Sequence, residues 1–123
     1  MIKFFRCVHC GNIVEMIKDS GVNIQCCGED MRLLVPGEID ASKEKHVPYI
    51  EIIDDKLVAR IGEIPHPMEE KHYIEWIAFV NDGIVKRVKL KPGDEPSARY
   101  CKNFKGEVYE YCNIHGLWKA EVK

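Results

Sequence analysis

The sequence lacks both a long hydrophobic run and a surplus of one charge. No apolar stretch approaches the roughly 20 residues that a helix needs to cross a bilayer, so we expect no membrane partner. The 18 basic and 20 acidic residues are interspersed, which leaves no basic stripe for binding nucleic acid. The first residues also lack the apolar core of a secretory signal, so we expect a cytoplasmic protein.

Six cysteines are many for a chain of 123 residues. In a reducing cytoplasm, closely spaced cysteines are better interpreted as metal ligands than as disulfide partners. Four of them form two pairs near the start of the chain, Cys7 with Cys10 and Cys26 with Cys27. The segments between the pairs are short and have too little core to fold without metal. We therefore predict a small four-thiolate module over residues 1–36.

The spacing of these cysteines leaves the identity of their metal open. The first pair forms a Cys-x-x-Cys knuckle, and the second pair completes a tetrahedron of thiolates. Because Cys26 and Cys27 are adjacent, this tetrahedron should be distorted. Zinc and iron both favour tetrahedral sulfur, whereas a disulfide between neighbouring cysteines is strained. His9 lies inside the knuckle and is predicted to point to solvent rather than to bind metal.

Beyond residue 36 the sequence predicts an all-β domain. A polar segment from Pro36 to Lys45 is predicted to be a linker that ends at His46. Hydrophobic runs bounded by turn residues then predict strands over 49–53, 57–61, 73–80, 84–90, 97–104, 107–112 and 117–122. Segment 73–80 is apolar at nearly every position, which is typical of a central strand. About seven short strands favour an antiparallel sandwich over residues 37–123.

A second candidate metal site combines histidines with one cysteine. Cys112 and His115 are spaced to bind one ion, and His46, His66 and His72 lie upstream. Prolines flank His66 and follow closely after His46, which restricts the backbone and suits a preorganised site. Four nitrogen ligands and one sulfur ligand match neither the ligands of a structural zinc site nor those of a simple electron-transfer site. We therefore expect iron with an open sixth position, opposite a thiolate that donates electron density.

With these residues laid out, the chain resembles the desulfoferrodoxin family, the two-iron class of superoxide reductase, over essentially its whole length. The motifs that carry the resemblance are Cys7-x-x-Cys10 with Cys26-Cys27, Glu44-Lys45-His46-Val47-Pro48, His66-Pro67-Met68-Glu69-Glu70-Lys71-His72 and Cys112-Asn113-Ile114-His115-Gly116. The resemblance implies a desulforedoxin-like (rubredoxin-type) iron module and an immunoglobulin-like seven-stranded sandwich. It also implies two irons per chain, with four histidines around the second iron in one plane and the cysteine axial. A homodimer is implied as well.

The same resemblance implies an activity and roles for two charged residues. Superoxide would take one electron at the second iron and leave as hydrogen peroxide, and rubredoxin or a similar small donor would restore the electron. Lys45 would attract superoxide and supply a proton, and Glu44 would act as a sixth ligand in the ferric state. Without the resemblance, the pattern of residues 42–45 would predict only a run of charged residues exposed to solvent.

Two other functions remain open at this level. Both irons could shuttle electrons without catalysis, or zinc could staple a binding module together. Cys101 matches no ligand position and is expected to face the sandwich interior or a strand edge as a free thiol.

Overall fold

The computed structural model describes residues 2–122, and these are almost entirely strands and turns. Contacts divide the chain into two compact units, Met1–Val35 and Pro36–Lys123. The one helix among the described residues is a single turn, Lys43–His46. No helix in this part of the chain has the length and apolar character needed to cross a membrane.

The first unit is a small antiparallel structure. Its strands are β1 Phe4–Arg6, β2 Ile13–Glu15, β3 Gln25–Cys26, β4 Glu29–Asp30 and β5 Arg32–Leu33. They form a three-stranded sheet in the order β2-β1-β5 and a separate β3-β4 hairpin. Buried hydrophobic side chains in this unit are limited to Phe4, Cys7 and Met31 among the described residues. Such a core is too small to stabilise the unit without a further cross-link.

The second unit contains the seven strands that the sequence predicts. They are β6 Pro48–Ile53, β7 Lys56–Ile61, β8 Ile74–Asn81, β9 Ile84–Lys89, β10 Ser97–Cys101, β11 Gly106–Cys112 and β12 Gly116–Val122. One sheet has the order β10-β7-β6 and the other β12-β11-β8-β9, with antiparallel pairing throughout. The all-β sandwich prediction is therefore confirmed.

The core of the sandwich lies between the two sheets. Leu57, Ala59 and Ile61 of β7 pack in one cluster with Ile77 and Phe79 of β8. The β8 strand has β11 on one side and β9 on the other, as predicted for a central strand. Alternate residues of β11, namely Val108 and Cys112, enter the same cluster, which places the cysteine at the end of a strand fixed by packing.

The segment predicted to be a linker is partly built into the sandwich unit. The Gly37 N–H donates a 2.8 Å hydrogen bond to the Leu117 carbonyl. Residues Lys43–His46 then form the helical turn, in which the Val47 N–H bonds the Lys43 carbonyl at 3.0 Å. The charge run therefore has a defined backbone that ends on a buried His46.

Candidate metal centres

The four cysteines of the first unit converge. Their sulfur atoms all lie within 4.8 Å of one another, with Cys7 buried and Cys10 and Cys27 exposed. The N–H groups of His9 and Cys10 donate to the Cys7 sulfur at 3.4 and 3.5 Å. Such contacts stabilise a thiolate and thus favour metal binding. This unit could hold one tetrahedral ion.

The thiols of this group differ in pKa. The Cys10 N–H is the largest of several hydrogen-bond contributions that lower the pKa of Cys7 to about 6, against the opposing effect of burial. Hydrogen bonding to Cys10, then to Cys7 and Cys26, raises the pKa of Cys27 to about 12. Without a cation, some of these thiols therefore keep their protons near pH 7. Metal binding must release those protons.

His9 lies outside this group of ligands, as predicted. Its ring is exposed, and its Nε2 atom lies 3.0 Å from a carboxylate oxygen of Glu29. The pair links the two halves of the cysteine group at the surface. An exposed pair of this kind contributes about 0–1 kcal/mol to stability.

Five further side chains converge in the sandwich unit: His46, His66, His72, Cys112 and His115. One donor atom from each lies within 4.8 Å of the other four. His46 ends the helical turn, Cys112 ends β11, and His115 immediately precedes β12. The pairing register of β11 shifts between Tyr111 and Cys112, so Cys112 lies opposite Ile74 at the start of β8.

Hydrogen bonds aim two of the imidazoles at a common point. The Nδ1 atoms of His46 and His66 lie 2.6 Å from the carbonyls of Ser42 and Pro67 and must donate to them. Their Nε2 atoms therefore carry lone pairs, yet these atoms are only 3.2 Å apart. The buried Nε2 of His72 also has no hydrogen-bond partner among the residues that the structure describes. A cation satisfies all three nitrogens, which is the arrangement expected of a metal site.

The surroundings favour the metal-binding form of these histidines. Burial lowers the pKa of His66 to about 4 and also lowers the pKa values of His46 and His72. The rings are consequently neutral near pH 7. Burial raises the pKa of Cys112, although the N–H of His115 donates to its sulfur at 3.4 Å and opposes this shift. A bound cation would therefore be needed to ionise the thiol.

The turn that carries Glu44 and Lys45 is held by a close backbone approach at Gly62. This residue has φ +85°, and an added Cβ would lie 2.7 Å from the Glu44 carbonyl oxygen. Both charged side chains are exposed. The positive charge of Lys45 contributes to the lowered pKa values of His46 and His72, so its field reaches the site. Glu44 is not among the five converging residues.

Two neighbours of the site were not anticipated from the sequence. The Trp118 ring stacks on His46 with centroids 5.2 Å apart, and its Nε1–H donates to the His115 carbonyl at 3.0 Å. Glu110 is fully buried, and neither carboxyl oxygen has a hydrogen-bond partner among residues 2–122. Burial raises its pKa well above the ordinary value. Its alternation with Val108 and Cys112 along β11 was a signal that could have identified it as a core residue.

Cys101 belongs to neither group of donors and is exposed at the end of β10. This strand forms one edge of its sheet. The strand-edge alternative is therefore correct, and the thiol is not in the core.

Comparison with known proteins identifies the family. The family model for desulfoferrodoxin matches residues 38–121, and that for the desulfoferrodoxin N-terminal domain matches residues 2–34. The chain belongs to the desulfoferrodoxin family. It is 50% identical over 121 residues to a desulfoferrodoxin of Nitratidesulfovibrio vulgaris, covering 98% of this chain and 96% of that protein.

Superoxide reductases are also among the relatives of this chain. A superoxide reductase of Pyrococcus abyssi is 38% identical over 104 residues, covering 68% of this chain and 90% of that protein. The crystal structure of superoxide reductase from Treponema pallidum matches with a TM-score of 0.77 at 27% identity, covering 98% of this chain and 99% of that one. The four-cysteine and four-histidine, one-cysteine groups correspond to the two iron sites of desulfoferrodoxins, which favours iron over zinc.

Proposed function

We propose that this protein is a superoxide reductase, which converts superoxide, one electron and two protons to hydrogen peroxide. The observation that carries the proposal is the convergence of four imidazoles and one thiol in the sandwich unit. When bound, iron supplies the transferable electron and a positive centre for the substrate anion. The proposed ligands are His46, His66, His72, Cys112 and His115.

Each ligand type contributes differently to the reaction. Neutral imidazoles add no charge, so the ion keeps most of its attraction for an anion. The Cys112 thiolate donates electron density, which favours loss of an electron to the substrate. The cysteine is buried and its N–H···S bond from His115 limits that donation, so both its position and its basicity are defined by the protein.

Lys45 and Glu44 are the proposed catalytic residues beside the ligands. The exposed ammonium of Lys45 acts on His46 and His72 electrostatically, so it can draw superoxide toward the site and hold a proton, directly or through water, near the bound anion. Glu44 shares its helical turn and is exposed. We propose Glu44 as an exchangeable sixth ligand of the ferric state.

The two units are proposed to have separate roles. Residues 1–36 form the desulforedoxin-like iron module, with Cys7, Cys10, Cys26 and Cys27 as its ligands, and residues 37–123 form the catalytic domain. Exposure of Cys10 and Cys27 suits electron exchange with a partner, since outer-sphere transfer needs close approach. We propose rubredoxin or a similar small protein as the donor, a homodimer as the assembly and the cytoplasm as the location.

The activity is tested by rapid mixing of reduced protein with superoxide. We expect loss of superoxide faster than its spontaneous decay, formation of one hydrogen peroxide per superoxide, and no release of oxygen. Oxygen evolution would instead indicate dismutation. If superoxide decays no faster than in buffer, the protein is only an electron carrier.

A further inference from the structure

Asn113, next to Cys112 in the turn before β12, makes an unusual set of contacts with the segment that contains His72. Its side-chain N–H donates to the Lys71 carbonyl at 3.0 Å, and its side-chain oxygen accepts from the Tyr73 N–H at 2.9 Å. Its own backbone N–H donates to the Tyr73 carbonyl at 3.2 Å. Three hydrogen bonds thus join one residue to both neighbours of His72, some forty positions earlier in the chain.

The peptide groups of His72 itself are fixed from the other side. Its N–H donates to the Glu69 carbonyl at 3.0 Å, and its carbonyl accepts from the Glu69 N–H at 2.9 Å. Every backbone polar group from the Lys71 carbonyl to the Tyr73 carbonyl is therefore hydrogen-bonded, and two residues supply all of the partners. The position of the His72 Cα atom is defined on both sides.

His72 depends on this backbone anchoring more than His46 and His66 do. The rings of His46 and His66 are each oriented by a 2.6 Å hydrogen bond from Nδ1 to a carbonyl. His72 is only half-buried, and its buried Nε2 has no partner within the described part of the chain. Its ring is thus placed mainly by where its backbone is held.

We infer that Asn113 is a positioning residue that holds His72 against the other donors of the second iron site. The inference rests on the ligand role proposed above for His72. Cys112 itself is fixed in the sandwich core, so the hydrogen bonds of the adjoining Asn113 place His72 relative to the Cys112–His115 turn.

The chemistry of the contact requires an amide. A Tyr73 N–H needs an acceptor and a Lys71 carbonyl needs a donor, and asparagine supplies one of each at the right separation. Aspartate would keep the first bond but place an oxygen against the Lys71 carbonyl oxygen. Alanine would remove both bonds and leave two backbone groups dependent on water.

The experiment measures the loss of each iron to a chelator in the full-length protein, with and without Asn113→Ala. Loss of a group that orients a ligand typically weakens metal binding by about 10–100-fold, so we expect iron to leave the second site about that much faster. The four-thiolate iron of the same molecule serves as an internal reference and should be unaffected. Asn103→Ala, at an exposed turn in the same unit, is the matched control and should behave as wild type.

A double-mutant cycle shows whether Asn113 acts through His72. If it does, adding Asn113→Ala to His72→Ala should change the rate of iron loss less than about twofold, because the ligand that it positions is already gone. If the two substitutions instead multiply their separate effects on the rate of iron loss, Asn113 acts elsewhere and the inference is overturned. If His72→Ala leaves the second iron and its optical spectrum unchanged, the proposed ligand set is wrong instead.

Thermal unfolding and Asn113→Asp separate positioning from a general loss of structure. Asn113→Asp retains one of the two side-chain hydrogen bonds, so we expect an intermediate rate of iron loss and a sandwich that still unfolds cooperatively. Wild-type iron retention and an unchanged visible spectrum in both Asn113 variants would contradict the inference. A lowered unfolding temperature with an unchanged spectrum would also contradict it, since that result indicates a merely structural role.

Discussion

The four-cysteine unit and the sandwich unit differ in how far their own cores position the metal-binding side chains. In the first unit the buried hydrophobic residues are few, and one of them, Cys7, belongs to the metal group itself. In the second unit a continuous core joins both sheets, and the donors are attached to its strand ends and to loops hydrogen-bonded onto it. The metal group thus helps to stabilise the fold of the first unit, whereas in the second unit the fold positions the metal-binding residues.

The donors differ in the same way. In the first unit, Cys26 and Cys27 hold protons that a metal must displace, because hydrogen bonding among the thiols raises their pKa values, that of Cys27 to about 12. In the second unit, His46, His66 and His72 are already neutral at pH 7 because burial lowers their pKa values. A nitrogen site can therefore be preorganised without charge repulsion, whereas four ionised sulfurs cannot be kept together without a cation.

Removal of both irons should have the largest effect and should affect the units differently. We expect residues 1–35 to lose their structure, since their core is too small, while the sandwich stays folded. Hydrogen exchange of the metal-free protein checks this, with protection lost in β1 and β2 and retained in β8 and β11. Protection retained in both units would show that the first unit does not need its metal.

A cavity in the sandwich core should destabilise only the second unit. Phe79 is fully buried and stacks on Tyr100 with centroids 5.2 Å apart. Phe79→Ala should lower the free energy of unfolding of the sandwich by about 3–5 kcal/mol. Denaturant titration measures this, with exposed Ile52→Ala as the control, expected to change stability by about 0.5 kcal/mol or less. An altered absorption of the four-thiolate iron would mean that the units are not independent.

Acidification should weaken the metal-free sandwich. Burial lowers the pKa of His66 to about 4, against 6.5 for an ordinary histidine, so between these values the unfolded chain binds a proton that the folded chain does not. Stability from this residue is therefore fully present above about pH 6.5 and is lost as the pH falls toward 4. The denaturation midpoint as a function of pH should have a shallower slope in His66→Leu. An unchanged slope would show that His66 does not titrate in this way.

Lys45→Ala should have the smallest effect, on rate alone. Loss of one charge beside the site should slow the reaction with superoxide severalfold and make it less sensitive to salt, without loss of iron. Lys43→Ala changes an exposed lysine of the same helical turn and serves as the control. Equal salt dependence in wild type and Lys45→Ala would show that Lys45 does not attract the anion.

The strands were predictable because their patterns are local. Alternation and apolar runs identify β6 to β12 to within a few residues, and the turn residues between them separate the elements. The helical turn at Lys43–His46 was not predicted, since its sequence looks like a solvated charge run. It forms because His46 is anchored to Ser42 and because Gly62 allows the backbone to approach. The first contact is local, but the approach of Gly62 is tertiary.

The metal groups were predictable to the extent that motifs specify residue types. The convergence of His46, His66 and His72 with Cys112 depends on a topology that brings strand ends together, which spacing alone does not give. The contacts of Asn113 with Lys71 and Tyr73 join distant segments through backbone groups that carry no sequence signal. Trp118 over His46 is likewise visible only in the folded chain.

The central claim is that the sandwich unit holds four histidines and one cysteine in place for an iron that reduces superoxide. This claim is tested most directly at Cys112. The measurement is the optical spectrum and the superoxide rate of Cys112→Ser, with Cys101→Ser as the exposed-thiol control. We predict loss of the thiolate-to-iron charge-transfer band and of most of the rate, with the four-thiolate iron unchanged and Cys101→Ser like wild type. Retention of both the band and the rate in Cys112→Ser would contradict the account.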